Sequence, residues 1–232
     1  MKSLMRQTHL LLIILSAVLL SAGCSASDSS GEFAGDPSKP LTIPKSGETR
    51  PKIVAFGDSL TAGFGLAEDE SYPYLLQKRL EADGYRYEVL NAGVSGDTTL
   101  GGLERIDWAL GQDNVEILVL ALGGNDLLRR MPVDSMRANL AAMLQKAKDR
   151  NIKVLFCGML APSNVGSDYQ VQFVSTFPAL AKEFDVAFMP FILKDVALDP
   201  ELNQADGIHP NADGAKIMME NIYEQLRPLL RK

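Results

Sequence analysis

Short apolar runs alternate with helical patterns along most of this chain. The runs have strand length and lack a polar residue at every second position, which is typical of strands buried on both faces. We expect strands at residues 52–56, 87–91, 117–122, 153–159 and 186–190. The intervening patterns predict helices at about 72–83, 100–110, 133–150 and 171–184, with a last helix at 212–226. This alternation predicts an α/β fold, a parallel sheet covered by helices on both faces.

The first residues have the pattern of an export signal. Two basic residues precede an apolar run at 10–20, and small residues follow it, so residues 1–23 are predicted to be a signal peptide. The run is too short for a comfortable membrane-spanning helix. The cysteine at position 24, directly after Ala-Gly, resembles the lipobox of bacterial lipoproteins, although Ser21 stands where leucine is usual. The resemblance implies lipidation of Cys24, and Ser25 after it suggests the outer membrane, facing the periplasm; secretion as a soluble protein is the alternative.

The remaining chain is predicted to hold a tether and one domain. Residues 24–50 are rich in Ser, Gly, Pro, Asp and Lys, as in a flexible linker, and residues 51–232 have the size of a single domain. The net charge of −6 and the lack of a basic stripe argue against nucleic acid as a partner. Cys157 lies in an apolar run and is predicted to be a core residue. Trp108 is likewise predicted to be a packing residue.

A candidate nucleophile follows the first predicted strand. Ser59 lies in the segment 56–61, Phe-Gly-Asp-Ser-Leu-Thr, directly after the apolar residues 53–55. Open α/β sheets bind their ligands at the carboxyl ends of the strands, which is where this serine is expected. Asp58 is its neighbour, but in an extended segment adjacent side chains point apart, so we interpret Asp58 as structural.

Only one histidine remains after removal of the predicted signal peptide. His209 is therefore the one available imidazole base, and Asp206 lies three residues before it. At that spacing a turn can direct the carboxylate to Nδ1 of the ring. The alternative is a helix-capping aspartate beside an incidental histidine. Asn211 and Asp213 can cap the last helix equally well, so capping does not explain Asp206.

Acyl transfer at a serine also requires donors for the oxyanion. The N–H of Ser59 is one candidate, and the side-chain amide of Asn125, after the third predicted strand, is another. The glycines of the loop after the second strand offer a further N–H, and spacing alone leaves Gly93 and Gly96 open.

Four segments of the chain resemble the four blocks of the GDSL or SGNH hydrolase family, and they occur in the same order as in the family. The resemblance covers nearly the whole domain from residue 52 onward, and it is stronger to the bacterial multifunctional group of thioesterase I, lysophospholipase L1 and arylesterase. The segments are Gly57-Asp58-Ser59-Leu60, Asn91-Ala92-x-x-Ser95-Gly96-Asp97-Thr98, Leu122-Gly123-Gly124-Asn125-Asp126 and Asp206-Gly207-Ile208-His209-Pro210-Asn211.

The resemblance implies a role for each matching residue. Ser59 is expected to be the nucleophile, His209 the base and Asp206 the acid that orients it. The implied oxyanion hole consists of the N–H of Ser59, the N–H of Gly96 and the side chain of Asn125, with Gly93 the less favoured alternative. The implied fold is a three-layer, flavodoxin-like α/β/α sandwich with five parallel strands in the order 2-1-3-4-5. The family uses no metal or other cofactor.

The expected activity is hydrolysis of carboxylic esters or thioesters through an acyl-enzyme, on small acyl esters or lysophospholipids. A Gly-x-Ser-x-Gly elbow and a phosphate-binding loop are both missing from the sequence. The alternatives are a carbohydrate O-deacetylase of the same family and a non-catalytic envelope lipoprotein. Apolar residues in loops expected near the site favour acyl substrates: Leu127, Leu128, Met131, Leu160 and Val165. Membrane contact is expected through the Cys24 lipid, and no feature of the sequence indicates an oligomeric state.

Overall fold

The computed structural model describes residues 50–232. Within them, five parallel strands form one sheet in the order β2-β1-β3-β4-β5. The predicted signal peptide, Cys24 and the tether up to residue 49 lie outside the described residues. The strands are β1 (Lys52–Gly57), β2 (Glu88–Gly93), β3 (Val115–Ala121), β4 (Lys153–Cys157) and β5 (Ala187–Met189). The predicted parallel sheet and its strand order are confirmed.

Seven α-helices of the described residues connect and follow these strands. Helix α2 packs against α7, whereas α3 packs against α5 and α5 against α6. Right-handed crossovers place α3, α5 and α6 on one face of the sheet and α2 and α7 on the other, which gives the three expected layers. The helices are α1 (Ser59–Ala62), α2 (Tyr72–Ala82), α3 (Thr99–Leu110), α4 (Gly124–Leu128), α5 (Val133–Asp149), α6 (Ser167–Phe184) and α7 (Ala212–Leu226).

The core lies on both faces of the two central strands. Residues 53–56 of β1 and 117–121 of β3 are almost completely buried. Cys157 is also buried, and burial raises the pKa of its thiol to about 12, as expected for a packing residue and not for a reactive thiol.

The prediction for Trp108 is wrong. Its side chain is 66% exposed, because Ile106 and Ala109 occupy the inward face of α3 and the helical period turns position 108 toward solvent.

The strand ends fix where the site can form. β4 ends at Cys157, two residues earlier than expected, and the N–H of Gly158 still donates to the carbonyl of Met189 on β5 at 2.7 Å. A Cβ at Gly158 would lie 2.4 Å from the carbonyl oxygen of Pro190, so this crossing needs glycine. The carboxyl ends of all five strands lie at one edge of the sheet. Among residues 50–232, no helix combines the length and apolarity needed to cross a membrane.

Candidate active site

Ser59 stands at the first position of the short helix α1, two residues after β1 ends. The carboxylate of Asp58 accepts a hydrogen bond from the N–H of Leu60 at 3.1 Å and so caps this helix. A Cβ on Gly57 would lie 2.2 Å from Oγ1 of Thr61 and 2.7 Å from the carbonyl oxygen of Ala121. Glycine at position 57 therefore lets the chain turn tightly enough to present Ser59 at the sheet edge. The interpretation of Asp58 as structural agrees with this cap.

The structure brings Ser59, His209 and Asp206 together. Nε2 of His209 lies 2.8 Å from Oγ of Ser59, across 150 residues of sequence. Nδ1 of the same ring lies 2.7 Å from Oδ2 of Asp206. A carboxylate accepts only, so Nδ1 carries the proton in the neutral ring, and Nε2 is free to accept from the serine hydroxyl.

Asp206 is held as a carboxylate by three hydrogen bonds. Besides the ring of His209, the N–H groups of Ile208 and His209 each donate to Oδ1 at 3.0 Å. These bonds, that from the His209 side chain first, lower the pKa of Asp206 from 3.8 to about 2. Helix α7 is capped by Asn211, whose side chain accepts from the N–H groups of residues 213 and 214. Asp206 is thus not a cap for that helix.

Two residues that the sequence analysis missed hold the histidine loop in place. The backbone N–H of Gln204 donates to the carbonyl of His209 at 2.8 Å, and its side-chain amide donates to the carbonyls of Phe64 and Pro210 at 2.7 and 2.9 Å. The ring of Phe64 lies against the imidazole, with 4.8 Å between centroids. These contacts join the loop after β1 to the loop before α7, and nothing local in the sequence signals them.

The candidate oxyanion donors come from three loops at the same edge. Asn125 lies in the first turn of α4, and its Nδ2 donates to the carbonyl of Asp97 at 2.9 Å. The N–H of Gly93 donates to Oδ1 of Asn91 at 3.0 Å within β2 and is therefore already engaged. Gly96 lies beyond the strand with φ of +85°, and its N–H has no partner among the described residues. Of the two glycines, Gly96 offers the available donor.

Arg105 on α3 joins the ends of β1 and β2. Its guanidinium donates to the carbonyl of Gly57 at 2.9 Å, to the carbonyl of Ala92 at 2.8 Å and to Oδ2 of Asp97 at 2.6 Å. The guanidinium carbon lies 3.9 Å from the ring centroid of Phe56. One side chain thus fixes the strand that carries Ser59 relative to the loop that carries Gly96. The sequence signal is a lone arginine on the inward side of an amphipathic helix.

Two buried carboxylates support the same edge. Asp126 accepts hydrogen bonds from the N–H and the hydroxyl of Thr99, at 2.8 and 2.6 Å, and so connects α4 to the start of α3. Oδ2 of Asp58 lies 3.4 Å from Nδ2 of Asn125. Burial raises the pKa of Asp58 from 3.8 to about 6. Asp58 therefore contacts both the helix of Ser59 and the amide of Asn125.

The site is open, without a deep pocket at the serine. The cavity lined by Ser59 and His209 measures only ≈ 10 Å³. A larger cavity of ≈ 370 Å³ lies along β2, between Tyr74 and Trp108, and contains none of the candidate catalytic residues. Within residues 50–232 no three His, Cys, Asp or Glu side chains are grouped as a metal site.

Comparison with known proteins identifies the family of the chain. The model of the GDSL-like lipase/acylhydrolase family matches residues 55–217, which include every candidate site residue of the domain. An esterase TesA of Pseudomonas aeruginosa is 40% identical over 178 residues, which are 77% of this chain and 89% of the relative. Thioesterase 1/protease 1/lysophospholipase L1 of Escherichia coli is 36% identical over 178 residues, or 77% of this chain and 84% of that protein.

A solved structure agrees with the fold. The crystal structure of AlinE4, described as an SGNH-hydrolase family esterase, matches with a TM-score of 0.66 and 41% identity. The match covers 81% of this chain and 100% of the solved chain. The expected family and its three-layer fold are confirmed.

Proposed function

The chain belongs to the GDSL-like lipase/acylhydrolase family, and from that premise we propose that Ser59, His209 and Asp206 hydrolyse carboxylic esters as a catalytic triad. The protein is a serine ester hydrolase; the residues that perform each step are the proposal. The observation that carries it is the continuous chain of contacts from Ser59 Oγ through both nitrogens of His209 to Asp206, at 2.8 and 2.7 Å.

In the first half-reaction Oγ of Ser59 attacks the ester carbonyl carbon while Nε2 of His209 takes the hydroxyl proton. The tetrahedral oxyanion accepts hydrogen bonds from the N–H groups of Ser59 and Gly96 and from Nδ2 of Asn125, which gives up its long 3.4 Å contact with Asp58 and keeps its bond to the carbonyl of Asp97. The intermediate collapses, the bond to the leaving oxygen or sulfur breaks, and His209 returns the proton to that atom. Asp206 stabilises the imidazolium in between.

In the second half-reaction water replaces the leaving group. His209 takes a proton from the water, whose oxygen attacks the acyl carbon of the Ser59 ester. Collapse of this second intermediate returns the proton to Oγ and releases the carboxylic acid. Because the pKa of Asp206 is about 2, its carboxylate remains ionised at every pH well above 2.

The proposed substrates are esters with one acyl chain, including lysophospholipids. The relatives are an esterase and a thioesterase/lysophospholipase, and the exposed apolar side chains of Leu128 and Leu160 near the site suit an acyl chain. An exported enzyme does not meet cytoplasmic acyl-CoA, so esters and lysophospholipids are favoured over thioesters as physiological substrates. No observation favours the carbohydrate deacetylase or the non-catalytic lipoprotein over this proposal.

The proposed location is the cell envelope, with the domain tethered to a lipidated Cys24. The support is the signal-like segment and the lipobox-like cysteine of the sequence. Mass analysis of the N-terminal peptide tests this: a lipidated Cys24 at the N-terminus supports the anchor, and an unmodified cysteine contradicts it.

A hydrolysis panel tests the proposed activity. Purified protein is assayed on p-nitrophenyl esters of increasing chain length, lysophosphatidylcholine, acyl-CoA and acetylated sugars. Ser59→Ala and His209→Ala should lose ester hydrolysis, whereas Ser175→Ala, which changes an exposed serine of α6, should keep it. Wild-type turnover by Ser59→Ala contradicts the mechanism, and a strong preference for acetylated sugars contradicts the substrate class.

A further inference from the structure

Exposed apolar side chains collect around the opening of the site. Ten large apolar side chains of the described residues are exposed. Five of them lie between the carboxyl ends of β1 to β4 and the next long helix, or directly before His209, and we refer to these as the apolar rim: Phe64, Val94, Leu128, Leu160 and Ile208. Isolated exposed apolar residues are ordinary on protein surfaces, but a group gathered at one place indicates an interaction surface.

The rim occupies one edge of the sheet. Phe64 and Val94 come from the loops after β1 and β2, Leu128 ends α4 after β3, and Leu160 follows β4. Ile208 precedes the catalytic histidine. The opposite edge has a different surface: the turns at 83–87, 111–114, 150–152 and 185–186 contain none of the ten exposed apolar side chains. The exposed apolar side chains and the candidate site therefore lie at the same edge of the sheet, which is formed by the carboxyl ends of the parallel strands.

Two arginines add charge to the same rim. Arg129 and Arg130 directly follow Leu128 and are exposed. Arg129 donates to the carbonyl of Gly96 at 2.8 Å, and Arg130 to the carbonyl of Val165 at 2.7 Å. These partners are neutral carbonyls, and the ion pairs found among the described residues include neither Arg129 nor Arg130. Two basic side chains thus lie at the edge of the sheet that carries Ser59, in a chain whose net charge is −6.

Apolar side chains beside unpaired guanidinium groups match the chemistry of one kind of partner. A phospholipid surface presents phosphates at its exterior and acyl chains just beneath them. Guanidinium groups bind phosphate oxygens, and exposed leucine, valine and phenylalanine side chains gain free energy by entering the interface. A soluble protein partner would supply carboxylates for the arginines but would not explain why the apolar rim lies at the sheet edge that carries the candidate nucleophile Ser59.

We propose that the rim docks the site edge on a phospholipid surface, with Arg129 and Arg130 on lipid phosphates and the apolar rim in the interface. Ser59 then meets its ester where the substrate is packed with other lipids. The proposal rests on the proposed lipid esterase function and adds the physical form of the substrate. It also accounts for a site without a deep pocket, because the lipid layer itself covers the substrate.

Vesicle binding by an inactive, unlipidated domain tests the docking. Residues 50–232 belong to one compact unit, and the solved esterase AlinE4 is matched over its full length by 81% of this chain. A protein of residues 50–232 with Ser59→Ala is therefore a suitable form. Co-sedimentation measures its partition onto vesicles of phosphatidylcholine, with and without phosphatidylglycerol. We expect binding to both, with stronger binding to the anionic vesicles that weakens as salt is added.

Matched variants separate the rim from other exposed surface. Leu128 is 61% and Leu160 is 49% exposed, and replacing both with serine should lower the partition onto either vesicle by about tenfold or more. Trp108→Ser removes a side chain with 66% exposure that lies off the rim, and it should leave the partition unchanged. Arg129→Gln with Arg130→Gln should lower binding to anionic vesicles by about fivefold for each charge.

Several results overturn the proposal. These are absence of binding to both vesicles, an unchanged partition after the leucine substitutions, and an equal loss after Trp108→Ser. Thermal unfolding of each variant shows whether the fold is retained. Hydrolysis of monomeric p-nitrophenyl acetate by the unsubstituted domain separates failure of the docking proposal from failure of the proposed function. Turnover without vesicle binding refutes the docking alone, whereas no turnover refutes the proposed function.

Discussion

Removing the guanidinium of Arg105 should weaken both the fold and the activity. Arg105→Met keeps an aliphatic chain over the ring of Phe56 but removes the bonds to the carbonyls of Gly57 and Ala92 and leaves Asp97 unpaired. The side chains of Arg105 and Asp97 are only 20% and 16% exposed. Breaking a buried pair costs about 3–5 kcal/mol, and partial access of water lowers this to about 3 kcal/mol. For a domain of this size the midpoint of thermal unfolding should fall by about 6–12 °C.

Urea denaturation at constant m-value, together with kcat/KM on a soluble ester, measures both effects. The loosened loop of Gly96 should lower kcat/KM by about a hundredfold. Arg79→Met is the matched control, because Arg79 also pairs with two carboxylates and lies 4.8 Å from the ring of Tyr223, but it is 39% exposed. It should change stability by less than about 1 kcal/mol and leave activity intact. Equal losses for Arg105→Met and Arg79→Met would refute the reasoning.

Three further substitutions test other parts of the site. Asn125→Ala should lower kcat by about 10²–10³ with little change in KM, and a purely KM effect contradicts its role as an oxyanion donor. Asp58 binds a proton in the folded state between pH 3.8 and about 6, so the protein loses stability as pH rises through that window. The free energy of unfolding of Asp58→Asn should lack this loss, which amounts to about 2–3 kcal/mol between pH 4 and pH 8, and an unchanged pH dependence in this variant refutes the buried charge. Gly93→Ala places a Cβ 2.2 Å from the backbone nitrogen of Ala62 and should destabilise by about 1–3 kcal/mol; a stable, fully active variant contradicts that close packing.

Much of the fold could be predicted because strands buried on both faces have a clear apolar signature. β1 and α7 were expected within one residue of their observed bounds. The helices α1 and α4 were not expected, since four or five residues are too few to show a helical period. For Trp108 the prediction was wrong for another reason. Its aromatic side chain suggested burial, but the period of its helix directs position 108 toward solvent.

The candidate site was predictable where the chemistry is local in sequence, and less so where it depends on tertiary contacts. Asp206 and His209 lie three residues apart, so a turn suffices to join them. Spacing alone left Gly93 and Gly96 open, and the family resemblance favoured Gly96; the hydrogen bond from the N–H of Gly93 to Asn91 is consistent with that prediction. Arg105 was missed altogether, since two of its three partners are backbone carbonyls at the ends of β1 and β2, and no side-chain pattern in the sequence indicates them.

The central claim is that Ser59, activated by His209, forms a covalent acyl-enzyme. The most direct measurement is labelling with a p-nitrophenyl alkylphosphonate, followed by mass spectrometry of the intact protein and its peptides. We predict one adduct per chain, on the peptide containing Ser59, with loss of esterase activity in proportion to labelling and almost no labelling of His209→Ala. An adduct on another serine that abolishes activity, or full activity in a protein completely labelled at Ser59, would contradict the account.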